Sequence, residues 1–358
     1  MGRKASVRTI PILTSPNLSM FSFSHQLAGR ACLLVFLTLL SLSGQSASAE
    51  VASPECAAES ILPRLQESDP ARYEAVIQRA AAVRNGKGIA WRIEKAGIEP
   101  SLLFGTMHLS DPRILEVPTP VFEAFDHIDT LILELKELTN PSDMALELFK
   151  YPHLYTLQDE RLDRILPPEE TELLATGLRQ RALTVGLLAR MRPWFIYMSM
   201  QSSQCEAKRR AQGGHVLDQA AALKAVENGI ELVGAETVRE QFESLANVTD
   251  QSMLRVLLDL FALPYTINDQ AETLIQLYEN SDTGMILALG TELARDKAAL
   301  DEFIETVIFE RNHKMAERAL PYLEKGNVMI AVGVLHLPGD EGLVELIRQQ
   351  GFTVSAVE

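Results

Sequence analysis

The chain has 358 residues, of which 47% are apolar and 23% are charged, a composition typical of a folded protein with one large domain or two modest ones. Its formal net charge is −15. An acidic protein repels phosphate backbones, so this balance argues against nucleic acid as a partner. No low-complexity tract follows the N-terminal region, which argues against a disordered or fibrous protein.

Residues 1–49 have the three parts of a secretory signal peptide. Arg30 precedes a twelve-residue apolar run over 31–42, and Ala47-Ser48-Ala49 supplies small residues for cleavage after Ala49. The run is shorter than the roughly 20 apolar residues that a membrane-spanning helix needs. We therefore expect an exported protein, periplasmic or secreted, with no stable membrane span after cleavage. Translation from Met20 and a permanent N-terminal anchor are the alternatives.

Export changes how the cysteines are interpreted. Cys32 would leave with the signal peptide, so that Cys56 and Cys205 remain. Two cysteines in an oxidising compartment often form a disulfide. We predict a Cys56–Cys205 bond that ties the N-terminal segment to the middle of the chain, with two unpaired buried thiols as the alternative. The sequence has no C-x-x-C pair, which argues against cysteine-based zinc or redox chemistry.

A helical segment over 50–88 is expected before the main domain, because apolar residues recur there every three to four positions. The stretches IAWRIEK and SLLFGTM then predict a β-hairpin. A short helix, TPVFEAFDHID, and a strongly apolar strand, TLILELKE, follow. The order of strand, helix and strand indicates a βαβ unit with parallel strands and a right-handed crossover.

The main domain, 89–358, is predicted to be largely helical between its first and last strands. Helical patterns cover about 140–229 and return over 237–325, on either side of a strand, IELVGAE. The end of the chain then repeats the opening order of strand, helix and strand. We predict a mixed α/β fold whose mostly parallel central sheet is built from two βαβ-type repeats, with a large helical insertion between them.

Both repeats carry the motif G-x-x-H directly after an apolar strand. The motifs are Gly105-x-x-His108 and Gly333-x-x-His336, each followed by leucine. Glycine permits a tight turn with no Cβ in the way, so Gly105 and Gly333 are assigned as turn residues. The imidazoles would then project from the carboxyl edge of the sheet, where open α/β sheets build their sites. Two imidazoles at one point indicate a metal or acid–base site, while histidines that only cap their own turns are the alternative.

Three charged residues are further candidates for the same site. Glu134 lies on an apolar strand, where a carboxylate must be paired, bound to a metal or protonated. Glu236 ends another strand and begins a helix, so that complementing the helix dipole is its alternative role. Arg311, in a helical pattern, either pairs with a carboxylate at the site or lies on a solvated helix face.

Several segments together resemble the TraB/PrgY/GumN family, in particular its bacterial GumN-like branch. They span roughly 90–358 and read LLFGTMHLSDP, LILELKE, MRPWFIYMSM, VLDQAAALKAVENGIELVGAETVREQF, ERNHKMAERALPYL and MIAVGVLHLPGDEGLVELIRQQGFTV. The same superfamily contains the Tiki metalloproteases, and its PrgY branch is associated with sequestering a peptide. The chain has Val216 where the family often has the glycine of G-L-D, which leaves the role of Asp218 open.

The resemblance implies a divalent-metal hydrolase, with a peptidase acting on a peptide or protein as the favoured form. His108, His336 and Glu134 would hold a Zn²⁺, Mn²⁺ or Co²⁺ ion, with Glu236 as the other choice of third ligand. The remaining carboxylate would act as the base, and Arg311 would stabilise the oxyanion. The alternative is a non-catalytic protein of the same fold that binds a peptide or haem. The sequence carries no signal for the oligomeric state.

Overall fold

Eight strands form two sheets in the computed structural model, which describes residues 7–10 and 56–357. Six strands form the main sheet in the order β6-β5-β7-β3-β2-β8, and β1 pairs with β4 in a second sheet. The strands are β1 (Val7–Thr9), β2 (Ala90–Lys95), β3 (Ile98–Thr106), β4 (Glu116–Pro118), β5 (Thr130–Leu133), β6 (Glu231–Gly234), β7 (Val328–Gly333) and β8 (Thr353–Ala356).

Helices make up most of the rest of the described chain. They are α1 (Ile61–Ser68), α2 (Pro70–Ala82), α3 (Thr119–Ala124), α4 (Pro141–Phe149), α5 (Pro152–Tyr155), α6 (Leu162–Ile165), α7 (Pro168–Arg179), α8 (Val185–Leu188), α9 (Pro193–Gln201), α10 (Gln204–Ala211), α11 (Leu217–Glu227), α12 (Val238–Asn247), α13 (Asp250–Ala262), α14 (Ile267–Glu279), α15 (Thr283–Leu293), α16 (Lys297–Ile304), α17 (Glu310–Leu323) and α18 (Leu343–Gln349). Short 3₁₀ helices span Lys136–Thr139 and Val334–His336, and a π-helical turn spans Glu305–Phe309.

The main sheet is parallel from β6 to β3 and antiparallel at its other edge. β5 pairs in parallel with β6 and β7, β7 pairs in parallel with β3, and β2 pairs antiparallel with β3 and β8. The central strands β5 and β7 are mostly apolar, as is typical of parallel strands that are covered on both faces. In β5, for example, Leu131 and Leu133 join one apolar cluster and Ile132 joins another. The predicted mixed α/β fold with a mostly parallel sheet is confirmed.

The two strands that precede the G-x-x-H histidines are direct neighbours. Gly105 of β3 pairs with Val332 of β7, and Thr106 pairs with Gly333. β7, from the far end of the chain, therefore lies between β3 and β5, the two strands that local sequence order had suggested as a βαβ unit. This arrangement brings the carboxyl ends of β3, β7 and β5 to one edge of the sheet.

Gly105 is explained by close packing, and not by the turn predicted for it. Both Gly105 and Gly333 lie in strands, and neither has a positive φ. A Cβ on Gly105 would lie 2.9 Å from side-chain atoms of Val334 and Leu337, which is shorter than an ordinary contact. Glycine therefore lets the segment after β7 pack directly on β3, and this segment carries His336.

The first described residues form a strand with β4. Arg8 pairs with Val117 in antiparallel register, and Ile10 is 1% exposed in the main apolar cluster. These residues belong to the segment predicted to be a signal peptide, and the rest of that segment lies outside the described residues. A chain cleaved after Ala49 would lose this strand. Within residues 7–10 and 56–357, no helix has both the length and the apolar character to cross a membrane.

The predicted disulfide between Cys56 and Cys205 is confirmed. It joins the segment before α1 to α10, with the two Cα atoms 5.1 Å apart. The same segment is fixed further along by α14, since Thr273 Oγ1 accepts from the amide of Ile61 at 2.8 Å. The disulfide thus connects α10 to a part of the chain that is anchored on the main core.

Candidate active site

The five side chains predicted to form a site all lie at the carboxyl edge of the parallel strands. Glu134 directly follows β5, and Glu236 lies two residues beyond β6. His108 lies two residues beyond β3, and His336 ends the 3₁₀ helix that follows β7. Arg311 reaches the same edge from α17. Strand ends therefore supply four of the five side chains, and a helix supplies the fifth.

Both imidazoles and one carboxylate border a single point beside Gly333. A Cβ on Gly333 would lie 3.1 Å from Glu134 Oε1, 3.5 Å from His336 Cδ2 and 4.0 Å from His108 Nε2. The Nε2 atom of His336 is 3.7 Å from Glu134 Oε1. The tertiary structure therefore brings together three side chains that lie up to 228 positions apart in the sequence.

Each imidazole is oriented by a hydrogen bond at Nδ1. His336 Nδ1 lies 2.7 Å from Asn312 Oδ1, and His108 Nδ1 lies 2.9 Å from Asp218 Oδ2. The other oxygen of Asp218 accepts from the Thr106 hydroxyl. Amide and carboxylate oxygens only accept, so Nδ1 of each ring donates. In the neutral ring this leaves the lone pair on Nε2, the atom nearer to Glu134 in His336 and nearer to Gly333 in His108.

The two histidines differ in their tendency to bind a proton. Burial lowers the pKa of His336 to about 3, so this ring is neutral at neutral pH. The negative charge of Asp218 raises the pKa of His108 to about 9, against the opposing effect of desolvation. The side chain of His108 is 58% exposed, so that solvent screens its ion pair, whereas that of His336 is 4% exposed.

Arg311 binds both glutamates in a buried ion cluster. Its Nη2 atom is 2.7 Å from Glu134 Oε2 and 2.5 Å from Glu236 Oε1, and its Nε atom is 2.9 Å from Glu236 Oε2. Its Nη1 atom lies 3.4 Å from His336 Nε2. Buried charges are tolerated only when they are paired. A single guanidinium is thus shared by two carboxylates.

A π-helical turn precedes Arg311 and bears on its placement. The turn Glu305–Phe309 leads into α17 without a break, and the amide of Glu310 donates to the carbonyl of Glu305. Such turns disturb the regular helical bonding and are frequent at functional sites. Here the carbonyl of Val307 accepts from Arg311 Nη1 at 2.9 Å. The guanidinium of Arg311 is therefore held both by the π-helical turn and by the two glutamates.

The environments of the two glutamates shift their pKa values in opposite directions. Burial disfavours the charged form of Glu134, but the positive charge of Arg311 and the amide of Gly333, 2.7 Å from Oε1, hold the pKa of Glu134 below its usual range. Burial raises the pKa of Glu236 although Arg311 binds both of its oxygens. Glu134 is therefore the firmly ionised carboxylate, and it is the one that faces the imidazole of His336.

Three polar side chains of the site were not singled out from the sequence. Asp218 was left open, and Asn312 and Gln241 were not considered; Gln241 Nε2 donates to Glu134 Oε2 at 3.1 Å. Asp218 and Asn312 are 2% and 0% exposed on helices α11 and α17. A carboxylate or amide on the buried face of a helix was the available signal. Neither residue follows a strand, so the rule that sites form at the carboxyl ends of parallel strands did not identify them.

The donor atoms suit a divalent cation in kind. Imidazole nitrogen and carboxylate oxygen are ligands of Zn²⁺, Mn²⁺ and Co²⁺, and histidine ligands commonly donate their other N–H to a carboxylate or carbonyl group. As the side chains stand, no three His, Cys, Asp or Glu residues of the described ranges enclose a cation position. His108, His336 and Glu134 are therefore suitable ligands in type and location, but their side chains would have to move to surround an ion.

Comparison with known proteins assigns a family without assigning an activity. The sequence model of the TraB/PrgY/gumN family matches residues 89–356. No curated protein and no solved structure matches the chain significantly. The matched region begins one residue before β2, ends at the last residue of β8 and includes every residue of the candidate site. The chain therefore belongs to the TraB/PrgY/gumN family.

Proposed function

We propose that this protein is a metal-dependent hydrolase that cleaves a peptide bond in a peptide or protein substrate. The observation that carries the proposal is the convergence of His108, His336 and Glu134 on the space beside Gly333. The outer hydrogen bonds at Nδ1 of both histidines add support, since they leave Nε2 for a ligand. The choice of a peptide bond comes from the resemblance to metalloproteases and peptide-binding members of the superfamily.

His108, His336 and Glu134 would hold the cation, with Zn²⁺, Mn²⁺ and Co²⁺ as candidates. A bound cation of this type acts as a Lewis acid and lowers the pKa of a coordinated water to about 7. His336 is neutral and ready to bind, whereas His108 must first lose a proton because Asp218 raises its pKa to about 9. We therefore expect cation affinity to increase as the pH rises towards 9.

The other charged residues would act on the substrate through position and charge. The positively charged guanidinium of Arg311 lies 3.4 Å from His336 Nε2, where it would stabilise negative charge that develops on a carbonyl oxygen of the substrate. Glu236 is bound to Arg311 through both oxygens, so we assign it the role of holding the guanidinium. Glu134 is the carboxylate that faces the imidazole of His336, so we assign it, and not Glu236, the role of the third ligand.

The proposal is tested by metal analysis and peptide cleavage with the full-length chain. His108→Ala and His336→Ala are compared with His313→Ala, a histidine whose side chain is 59% exposed and paired with Glu341. We expect the wild type and His313→Ala to bind a divalent cation and to cleave peptides from a mixed library. The two site variants should lose bound metal and fall to background cleavage. Wild-type cleavage by both of them would rule the proposal out.

A non-catalytic binding protein is the second candidate, and one observation favours it. Arg311 already places a positive charge against both His336 Nε2 and Glu134, which opposes the entry of a cation. A protein that only holds a peptide or haem needs no bound metal. Chelator-treated protein that binds a library peptide with unchanged Kd, and that cleaves nothing when Zn²⁺, Mn²⁺ or Co²⁺ is restored, would establish this function instead.

We further infer that the protein is exported, on the basis of the apolar run over 31–42 and the disulfide, a bond that persists in oxidising compartments. Fractionation of the producing cells with N-terminal sequencing tests this inference. We expect a mature chain that begins at Glu50. An N-terminus that still contains Val7–Ile10 would contradict cleavage and would retain the β1–β4 pair.

A further inference from the structure

The loop that carries His108 depends on contacts from outside. Residues 107–111, here called the His108 loop, follow β3 and belong to no helix or strand. With 58% of its side chain exposed, His108 is not fixed by packing. Its ring must nevertheless meet the buried His336, and a misplacement of about 1 Å is enough to impair such a site. The backbone of the loop therefore has to be held in place.

Glu206 of α10 holds the loop through a backbone amide. Both of its carboxylate oxygens lie 3.0 Å from the amide nitrogen of Ser110. Glu206 is 1% exposed, and Arg210 Nε donates to its Oε1 atom at 2.8 Å. Hydrogen bonds to an ionised group are roughly twice as strong as neutral ones. The buried carboxylate is therefore a firm anchor for the centre of the loop.

Two arginines of α10 bind the loop on either side of Ser110. Arg210 Nη2 donates to the carbonyl oxygen of His108 at 2.9 Å. Arg209 Nη2 lies 2.8 Å from Asp111 Oδ2. A single helix thus contacts the loop at three of its residues, including the backbone of His108 itself.

The position of α10 is fixed in turn by a covalent bond and by close packing. Cys205, which precedes Glu206, is bonded to Cys56. Just beyond the end of the helix, a Cβ on Gly214 would lie 3.3 Å from Ser110 Cβ and 2.9 Å from the carbonyl oxygen of Arg209. Glycine at this position lets the end of the helix approach the loop.

We propose that Glu206 and Arg210 are positioning residues, which set the placement of the His108 imidazole relative to the rest of the site. The disulfide anchors the helix that carries them. This inference rests on the proposed function, because placement of the ring matters only where His108 takes part in a site. Glu206 and Arg210 act on the backbone of the loop, whereas Asp218 binds the ring of His108 directly.

The test measures backbone amide hydrogen exchange over 105–115 in the metal-free, full-length chain, together with the affinity for Co²⁺. The variants are Glu206→Gln and Arg210→Ala. The matched control is Glu302→Gln, since Glu302 also accepts from a backbone amide, that of Thr249 at 2.8 Å, but belongs to a different part of the chain. A thermal unfolding curve for each variant reports the general loss of stability.

We expect exchange at Ser110 to become at least ~10-fold faster in Glu206→Gln and Arg210→Ala while the rest of the chain stays folded. Glu206→Gln replaces the charged acceptor of the Ser110 amide with a weaker neutral one, and Arg210→Ala removes the bond to the carbonyl oxygen of His108. Affinity for Co²⁺ should weaken by about 10–100-fold in both, the range typical of changes to groups that support metal ligands. Glu302→Gln should lower the unfolding temperature with wild-type exchange over 105–115 and wild-type affinity for Co²⁺.

Wild-type exchange of the His108 loop in both site variants would overturn the proposal. If Glu206→Gln does not fold, Arg210→Ala decides alone, because the Arg210 side chain is 44% exposed and its loss leaves no buried cavity. Faster exchange with unchanged Co²⁺ affinity would also reject a positioning role. A wild-type chain that binds no Co²⁺ would refute the proposed function, and the exchange data alone would then show whether Glu206 and Arg210 hold the His108 loop.

The contribution of the disulfide is tested by replacing Cys56 and Cys205 together with serine. We expect faster exchange in both α10 and the His108 loop, because the helix loses its covalent anchor. Faster exchange confined to the segment around Cys56, with the loop unchanged, would remove the disulfide from the proposal and leave Glu206 and Arg210 in it.

Discussion

Gly333 determines how much space the candidate site residues share. Its amide donates to Glu134 Oε1 at 2.7 Å, and a side chain on it would point between that oxygen and the two imidazoles. Its φ of −51° and ψ of 135° are open to any residue, so backbone strain does not require glycine here. The reason for glycine at this position is therefore the space it leaves to its neighbours.

Gly333→Ala should fold with little change in stability and lose function. The added methyl group would lie 3.1 Å from Glu134 Oε1 and within 4.0 Å of His108 Nε2, and would thus occupy the space that a cation or substrate atom needs. We expect a loss of Co²⁺ binding in calorimetric titration. Gly290→Ala is the control, because nothing lies within 4 Å of its added Cβ; equal affinity in all three proteins would contradict our assignment of this space.

The His108–Asp218 pair determines the charge of the more exposed imidazole. The carboxylate is 2% exposed and lies 2.9 Å from Nδ1. Its charge is the largest cause of the raised pKa of His108. The raised pKa favours the protonated ring at neutral pH, and under the proposed function this proton would have to leave before Nε2 could bind a cation.

Asp218→Asn should lower the pKa of His108 from about 9 towards its usual value of about 6.5, because an amide carries no charge to stabilise the imidazolium. The measurement is an NMR pH titration of the ring protons in the metal-free chain. Asp250→Asn provides the control, since that carboxylate is paired with Arg192 and contacts neither the ring nor the His108 loop. A titration of His108 near pH 9 in both variants would show that another group causes the shift.

At the level of elements, α17 and the π-helical turn before it deliver two side chains to the site. Arg311 binds the glutamates that follow β5 and β6, and its neighbour Asn312 binds Nδ1 of His336. One helix therefore connects three strand ends. Both glutamates depend on the same guanidinium, so the loss of its charge would leave two buried carboxylates unpaired.

Arg311→Met should lower the free energy of unfolding by about 3–5 kcal/mol, because Glu134 and Glu236 would remain buried without their cation. Arg318→Met, on the same helix, serves as the control: its side chain is 42% exposed and paired with Glu240, and we expect a loss of about 1 kcal/mol or less. Urea unfolding at pH 7 measures both. Similar losses in the two variants would argue against a buried ion cluster.

For the whole molecule, the two site histidines make stability depend on pH in opposite directions. The pKa of His336 is lowered to about 3, so below pH 6.5 the unfolded chain binds a proton that the folded chain does not. The pKa of His108 is raised to about 9, so between pH 6.5 and 9 the folded chain holds a proton that the unfolded chain loses. Stability should therefore rise with pH up to about 6.5 and fall above it.

Urea unfolding of the chelator-treated chain from pH 5 to pH 9 should show this maximum near pH 6.5. The slope below it is at most about 1.4 kcal/mol per pH unit for one proton. The slope above it should be shallower, because solvent screens the exposed His108 pair. His336→Gln should flatten the acid side and Asp218→Asn the alkaline side. Stability that stays constant over this range in the wild type would contradict the assignment.

Much of the fold and part of the site could be predicted because their signals are local. Apolar runs that end in Gly105-x-x-His108 and Gly333-x-x-His336 mark two buried strands of one sheet. Parallel strands share a carboxyl edge, so the histidines and Glu134 were expected at one place. The role of the glycines was predicted incorrectly for Gly105, because whether a neighbouring segment packs against a Cα depends on which strand lies beside it.

The sequence by itself determined the mixed α/β class, the family and the residue types at the sheet edge, because periodicity and motifs are properties of neighbouring residues. The tertiary structure alone decided that β7 lies between β3 and β5, which is what places His336 beside Glu134. It also selected Asp218 as the partner of His108 and Glu206 as the partner of its loop. These contacts join residues about a hundred positions apart, and no local pattern specifies which distant helix packs against a given loop.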